Sequence, residues 1–490
     1  VYTDTGYADY ALNNASRIGM VYVGANDGMV HAFKAADGTE AWAYMPSLLL
    51  PNLYTLADKN YSGNHTYFAN ATPRQGDVYY DGTWHTILVG GFGRGGRGYY
   101  ALDVTSTTTP KVLWEFTSDT SKGAGYVTDA DLGYSYGQPL ITKLSDGTWV
   151  VLVTSGYNNV SPGSGHGVLW VLNAKTGAII KKIDTGMGSN STTVAGCSAA
   201  PCPAGLSKIS AYVESSTTNN TALYIYGGDL LGNVWRFDMR GLTASGGTVP
   251  VQLLATLADA SGTRQPVTAR PEVGKTGAYP VVYVGTGAYL GVSDVTSTAR
   301  QSIYALKDPL TTVTGTGGIY GSPRSSTCSS TATSACFVQN TLSDSNGVRT
   351  ATSTVSYSLD FTTMYGWYAD LPETGERMNT DPDLQLGTLA FTSNIPSSSD
   401  ACSVGGSSYL NYLDYRTGLA VPGSLQTGVL LTNGTTTALA SAVTLVRLPN
   451  GKVVAITNLS DGSSQTNNAP VSATNLITRR VSWRELITND

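Results

Sequence analysis

One pattern recurs seven times along this chain: an apolar run ends in a Gly- or Asn-rich turn, and a second strand-like segment follows. The runs are MVYVG (20–24), ILVGG (87–91), VVLVT (150–154), LYIYG (223–227), VVYVG (281–285), LGTLAF (386–391) and VVAIT (453–457). Their partners read VHAF (30–33), YYALDV (99–104), VLWVLNAKTG (168–177), VWRFDM (234–239), SIYALKD (302–308), NYLDYRTG (411–418) and VSWREL (481–486). Most intervals between runs lie between 58 and 73 residues, and one is 105. Self-similarity at such a period belongs to propellers and solenoids. Asp81-Gly82, Asp146-Gly147 and Asn450-Gly451 stand just before three of the runs. Asp-Gly and Asn-Gly pairs between strand-like segments predict tight hairpins. Aromatic outer strands, marked by Trp42 and Trp114, often follow the partner.

These pieces order as strand, turn, apolar strand, loop, strand, turn, strand. A lone four-stranded sheet leaves two raw edges and an uncovered apolar face. Radial stacking covers the faces and leaves only short outer edges. The expectation is an all-β, seven-bladed β-propeller formed as a single domain over 1–490, with loop insertions and a few short helices; an open stack of β-sandwiches is the alternative. Composition agrees. Only 13% of residues are charged, against roughly 25% in ordinary soluble domains. Gly (56) and Tyr (30), with Ser and Thr, fill the space and favour turns and pleated strands over helices.

Two stretches interrupt the repeat. Residues 46–72 carry Leu48, Leu49, Leu50, Leu53, Tyr54 and Leu56, a short-helix candidate. Residues 309–360 are rich in Ser, Thr and Gly and account for the long interval. Loops that break a repeat without belonging to it are the usual carriers of function. Leu48, Leu49, Tyr54, Tyr320 and Arg324 are therefore the candidate interaction residues. Shortening 309–360 is expected to leave the fold intact, because surface loops cost little to alter.

Five cysteines point to an oxidising compartment. Cys197 and Cys202 (CSAAPC) and Cys328 and Cys336 (CSSTATSAC) lie in short loops that close readily as local disulfides. Cys402 is left over, either buried or paired outside this chain. Net charge is −5, with no basic stripe for a phosphate backbone, so nucleic acid is not an expected partner. No run of about 18 apolar residues forms a membrane-spanning segment. The first residues, Val1-Tyr2-Thr3-Asp4, carry no signal-peptide pattern, as in a cytosolic chain or in the mature part of an exported one.

Catalytic and metal chemistry finds little support. The four histidines, His31, His65, His85 and His166, are scattered among repeats without metal-ligand spacing. The glycine-rich stretch 91–98 joins strand to strand, so no helix N-terminus cradles a phosphate. Asp129-Ala130-Asp131 and Asp381-Pro382-Asp383 offer two carboxylates each, fewer than a calcium loop uses.

Several long segments resemble the C-terminal domain of the PilY/PilC family of type IV pilus tip adhesins. They are MVYVGANDGMVHAFKAADGTEAWAYMP (20–46), the stretch 72–105 ending in GGFGRGGRGYYALDVT, DADLGYSYGQP (129–139), YGGDLLGNVWRFDM (226–239), VGTGAYLG (284–291), LGTLAFTSNIP (386–396) and TRRVSWREL (478–486). The resemblance implies a modified propeller with quinoprotein-like repeats. It also implies a protein of a Gram-negative bacterium, exported to the cell surface and the pilus tip. Its implied tasks are pilus biogenesis, adhesion, surface sensing and twitching motility, without enzymatic activity. Its implied partners are minor pilins, host or abiotic surfaces, and the protein's own N-terminal adhesive region preceding Val1. Some family members carry a calcium loop just before YGGDLxGNxWRFD. The matching stretch here, Glu214 to Thr221, holds a single carboxylate, so no cofactor is expected there.

Two other functions fit a propeller. A quinone-dependent dehydrogenase would share the repeat, but such enzymes often carry vicinal cysteines, which are absent here, and eight repeats instead of seven. A pure assembly scaffold would look the same in sequence. The first blade lacks an obvious strand before Met20, so the two chain ends are expected to close the ring together.

Overall fold

The structure is a computed structural model and describes residues 2–314, 317–397, 405–434 and 436–471. Their regular structure is mostly strand, with only a few short helices, and the chain divides into two compact units. The first holds residues 2–225 and 237–251; the second holds 226–236 and the described residues from 252 onward.

In the first unit the first two repeats build sheets of their own, and the third is joined through Leu140–Lys143, in parallel, to the strand Asn219–Gly228. Met20–Gly24, Val30–Lys34 and Glu40–Tyr44 form the first. Arg74–Tyr80, Thr83–Gly91, Gly98–Asp103 and Lys111–Thr117 form the second, with Tyr126–Thr128 added in parallel. Leu140–Lys143, Trp149–Thr154, Val168–Asn173 and Ile179–Asp184 form the third. The dipeptide turns act as their residues require. Asp81 and Gly82 both have positive φ (52° and 78°), and Tyr80 pairs with Thr83 across them. That is a two-residue turn whose twist matches the strands it joins. All six residues of Trp149–Thr154 are buried, which is why its sequence shows no polar alternation. The core gathers Ile87, Val89, Tyr99, Phe116, Val151, Val153 and Trp170.

Outer-strand tryptophans tie one repeat to the next. Trp42 Nε1 donates to Thr107 O at 2.9 Å, and Trp114 Nε1 to Ala174 O at 3.0 Å. In the second unit Trp367 Nε1 donates to Tyr415 O at 3.2 Å. The Thr-Gly turns explain the pattern. Gly177 and Gly418 both have φ of +70°, and a Cβ there would come within 2.6 Å of the Trp114 ring and 2.5 Å of the Trp367 ring. Only glycine permits both the left-handed turn and the ring lying against it.

In the second unit Glu272–Thr276, Tyr279–Gly285, Ser302–Lys307 and Gly366–Asp370 form one repeat. Asp383–Gln385, Thr388–Pro396, Gly406–Asp414 and Gly428–Leu430 form the next. The stretch 309–360 departs from its reading as a surface loop. Its hairpin, Phe337–Ser345 and Val348–Ser353, lies parallel to Gly366–Asp370 on one side and pairs with Gly428–Leu430 on the other. It joins the two repeats into one ten-stranded sheet. Cys328, Cys336, Val338 and Leu342 are buried with Val281, Ile303, Trp367 and Leu413. Removing this stretch would therefore strip core and strand partners, so the expectation that it can be shortened harmlessly does not hold.

Thr444–Arg447, Val453–Asn458 and Ser464–Asn468 form the last described sheet. Both edges of Val453–Asn458 are thus taken, one by Thr444–Arg447 and the other by Ser464–Asn468. Residues 481–486, the expected closure through the C-terminal end, and Cys402 lie outside the described residues.

Candidate functional site

The five candidate interaction residues fall into very different surroundings. In 46–72 the chain makes a 3-10 helix, Leu50–Ala57, with proline near its start where a missing N–H costs nothing. Tyr54 projects from it and is 75% exposed. Leu49 is buried, and Leu48 is half-buried against the same cluster of Val30, Phe68, Leu88 and Tyr100. These leucines anchor the insertion and do not present it.

Tyr320 and Arg324 are also built inward. Tyr320 is buried between Phe337 and Tyr365 and donates its hydroxyl to Lys307 O at 2.6 Å. Burial drives its phenol well above the ordinary range. Arg324 pairs with Asp370, donates to Ala258 O at 2.7 Å and Ser302 Oγ at 2.9 Å, and lies over the Tyr368 ring. A guanidinium half-hidden from water must find acceptors nearby, and this one finds them within its own unit. Leu49, Tyr320 and Arg324 are therefore structural, and Tyr54 alone of the five stands free in water. Val292, 89% exposed on the short helix Val292–Val295, carries no signal in the sequence, because a lone valine in a polar loop has no periodic pattern.

The carboxylate pairs have partners other than metal. Lys182 Nζ sits 2.8 Å from Asp129 Oδ1 and 2.6 Å from Asp131 Oδ2. Burial pushes Asp131 up, but the Lys182 ammonium and donation from Ser164 outweigh it and hold the carboxyl below its usual range. Asp381 accepts the Arg270 N–H and Asp383 accepts the Leu445 N–H, both at 2.9 Å. In the stretch matching the family's calcium loop, Glu214 accepts from Asn219 Nδ2 at 2.7 Å and Ser215 Oγ closes the turn on Thr218. One engaged carboxylate does not fit a calcium ion, which is held by several oxygens. Among the described residues no group of three or more His, Cys, Asp or Glu gathers as a metal site would need. Three histidines pair with neighbouring carboxylates: His31 with Asp27, His85 with Asp103 and His166 with Asp184. His65 packs edge-on against Tyr67.

Both cysteine pairs are joined, Cys197 to Cys202 and Cys328 to Cys336.

The segment YGGDLLGNVWRFDM builds the most complete polar network. Asp229 is fully buried and accepts four donors: the N–H groups of Leu231 and Asn233, Asn233 Nδ2 and Trp235 Nε1, all at 2.9 Å. Desolvation still dominates and raises its carboxyl to about 6. Arg236 Nη1 meets Asp308 Oδ1 at 2.6 Å, both side chains being buried, and Tyr226 donates to Asp308 Oδ2 at 2.7 Å. Asp229 thus orders the turn and Trp235 within the motif, while Tyr226 and Arg236 tie it to Asp308 outside it.

A family model described as the PilY1 beta-propeller domain matches residues 1–322. The chain belongs to the PilY1 β-propeller family. It is 32% identical to a type IV pilus biogenesis factor PilY1 homolog of Xylella fastidiosa, over 85% of this chain and 27% of that protein. It is 30% identical to the type IV pilus biogenesis factor PilY1 of Pseudomonas aeruginosa PAO1, over 84% of this chain and 36% of that protein. The crystal structure of the P. aeruginosa PilY1 C-terminal domain superposes with a TM-score of 0.68 at 25% identity, covering 95% of each chain. The all-β propeller expected from the repeat is thus the fold of this PilY1 domain. The chain spans between about a quarter and a little over a third of the length of the curated PilY1 relatives.

Proposed function

We propose that this chain is the propeller module of a type IV pilus biogenesis factor, and that it works at the pilus tip by binding minor pilins. The reading is supported above all by agreement over 95% of the chain with the P. aeruginosa PilY1 C-terminal domain. In this reading the module holds partners under load and carries out no chemistry of its own. The protein is extracellular, contributes to adhesion and surface sensing, and contacts host or abiotic surfaces through its other regions. The two disulfides suit that compartment. No helix among the described residues is long and apolar enough to cross a membrane.

A genetic test is direct. Cells carrying the full-length protein without this region should lose surface pili and twitching, and restoring the region in its natural context should recover both. Normal piliation without it would refute the reading.

A further inference from the structure

The first unit carries a cleft of about 270 Å³ that none of the roles above uses. Its lining includes Tyr79, Tyr80, Asp146, Thr148, Trp149 and Lys175. Two tight turns set it up. Asp81-Gly82 places Tyr79 and Tyr80 at the end of Arg74–Tyr80, and Asp146-Gly147 places Trp149 at the start of Trp149–Thr154. The aromatic residues are held in fixed positions. Tyr80 stacks on His85 at 3.8 Å between centroids and donates its hydroxyl to Asp103. Trp149 packs against Trp84 and Tyr2.

One atom stands out. Trp42, Trp84, Trp114, Trp170, Trp235 and Trp367 each donate the indole N–H to a protein oxygen. Trp149, only 3% exposed, makes no such bond among the described residues. The nitrogen is not among the buried atoms left without a partner, so solvent reaches it, and on a residue lining the cleft it is free to donate to a group that enters. Around it lie an open aromatic surface, Tyr79 at 41% exposed, and an acceptor, Asp146. Asp146 is pinned by the N–H groups of Thr148 and Ala244, whose donation outweighs burial and keeps it ionised below the usual range. Lys175 adds a donor at the rim, paired with Asp81 at 2.6 Å and 5.9 Å above the Tyr80 ring.

We propose that this cleft binds a neutral saccharide. A sugar presents C–H faces that lie on aromatic rings, and hydroxyls that both accept and donate. It can therefore take the Trp149 N–H and satisfy Asp146 at once. A proline-rich peptide offers acceptors for the indole but, at each proline, no N–H for Asp146. An anionic sugar would meet the Asp146 carboxylate, and Lys175, the ammonium on the lining, is already paired with Asp81. The inference stands apart from pilin binding and survives if that reading fails.

The test uses the purified domain on an array of neutral, acidic and amino-sugar glycans, followed by calorimetry with the best neutral ligand. Binding of a neutral glycan is expected with Kd of about 1 mM or tighter, with a change in tryptophan fluorescence. Tyr79→Ala should weaken it about tenfold through loss of the stacking face, with the unfolding temperature little changed. Lys175→Ala, at an exposed rim, should weaken it less and guards against a folding defect in the first variant. No glycan binding by the wild type, binding untouched by both variants, or preference for acidic glycans or a proline-rich peptide would each overturn the proposal.

Discussion

The two insertions look alike in sequence and differ in the folded chain. Both 46–72 and 309–360 interrupt the repeat with loop-like residues. The first sets down a few leucines and Phe68 as an anchor and leaves Tyr54 in water. The second supplies two strands to the sheet between neighbouring repeats and several members of its core. It also supplies Arg349, fully buried, whose guanidinium forms two bonds to Glu376 at 2.7 and 2.9 Å and lies 3.4 Å over the Tyr409 ring. An insertion is dispensable only when nothing outside it depends on its polar and apolar groups. Glu376, Asn411 and Tyr409 all depend on Arg349.

That contrast can be broken experimentally. Replacing 309–360 with a short flexible linker should abolish cooperative folding of the second unit, seen as loss of its protected amides in hydrogen exchange. Intact protection would return the stretch to the class of surface loops. Arg349→Met leaves the buried Glu376 carboxylate without its cation, with only Ser393 Oγ and the Glu373 N–H still donating to it, and should cost about 3–5 kcal/mol in denaturant unfolding. Adding Glu376→Leu to that variant should recover part of the loss, because an apolar pair no longer strands a charge. In the other insertion Tyr54→Ala should change stability by no more than about 0.5 kcal/mol.

Much of this was legible beforehand, for stated reasons. Six of the seven run-and-partner pairs are adjacent strands, since alternation, Asp-Gly turns and apolar runs report local pairing. The seventh partner, 481–486, lies outside the described residues; among the described residues Val453–Asn458 pairs with Ser464–Asn468, a polar strand of Ser, Gln, Thr and Asn with no apolar pattern to announce it. The hairpin in 309–360 carries the tight-turn signal, Asn346-Gly347 with φ of 53° and 78° between paired Ser345 and Val348, but its flanks QNTLSDS and VRT are polar and read as a solvated loop until their neighbours bury alternate residues. The aromatic cleft was hidden because Tyr79 and Trp149 lie 70 positions apart and meet only through two turns.

A milder prediction concerns the second unit and pH. Asp229 holds its proton up to about pH 6 in the folded chain, above an exposed carboxyl at about 3.9. The protonated folded state is therefore favoured: this contribution is fully present below about pH 4 and is lost as pH rises past about 6. Asp229→Asn should remove that slope while costing about 1–3 kcal/mol at neutral pH, because its amide faces donors where an oxygen is needed. Denaturant midpoints measured from pH 4 to pH 7 would show it, and parallel curves for the two proteins would reject it. The smallest effect is expected for calcium. The 214–221 turn is closed by its own side chains, so millimolar calcium should leave the unfolding temperature unchanged, and a shift lost on Glu214→Ala would contradict this.

The central claim is that this module binds and does not catalyse. It is tested most directly by biolayer interferometry of the purified domain against the assembled minor pilins of its own organism, with turnover of alcohols and added quinone measured on the same sample. Saturable binding to the pilins with no quinone-dependent turnover is the expected result. Robust quinone-dependent turnover with no pilin binding would contradict it.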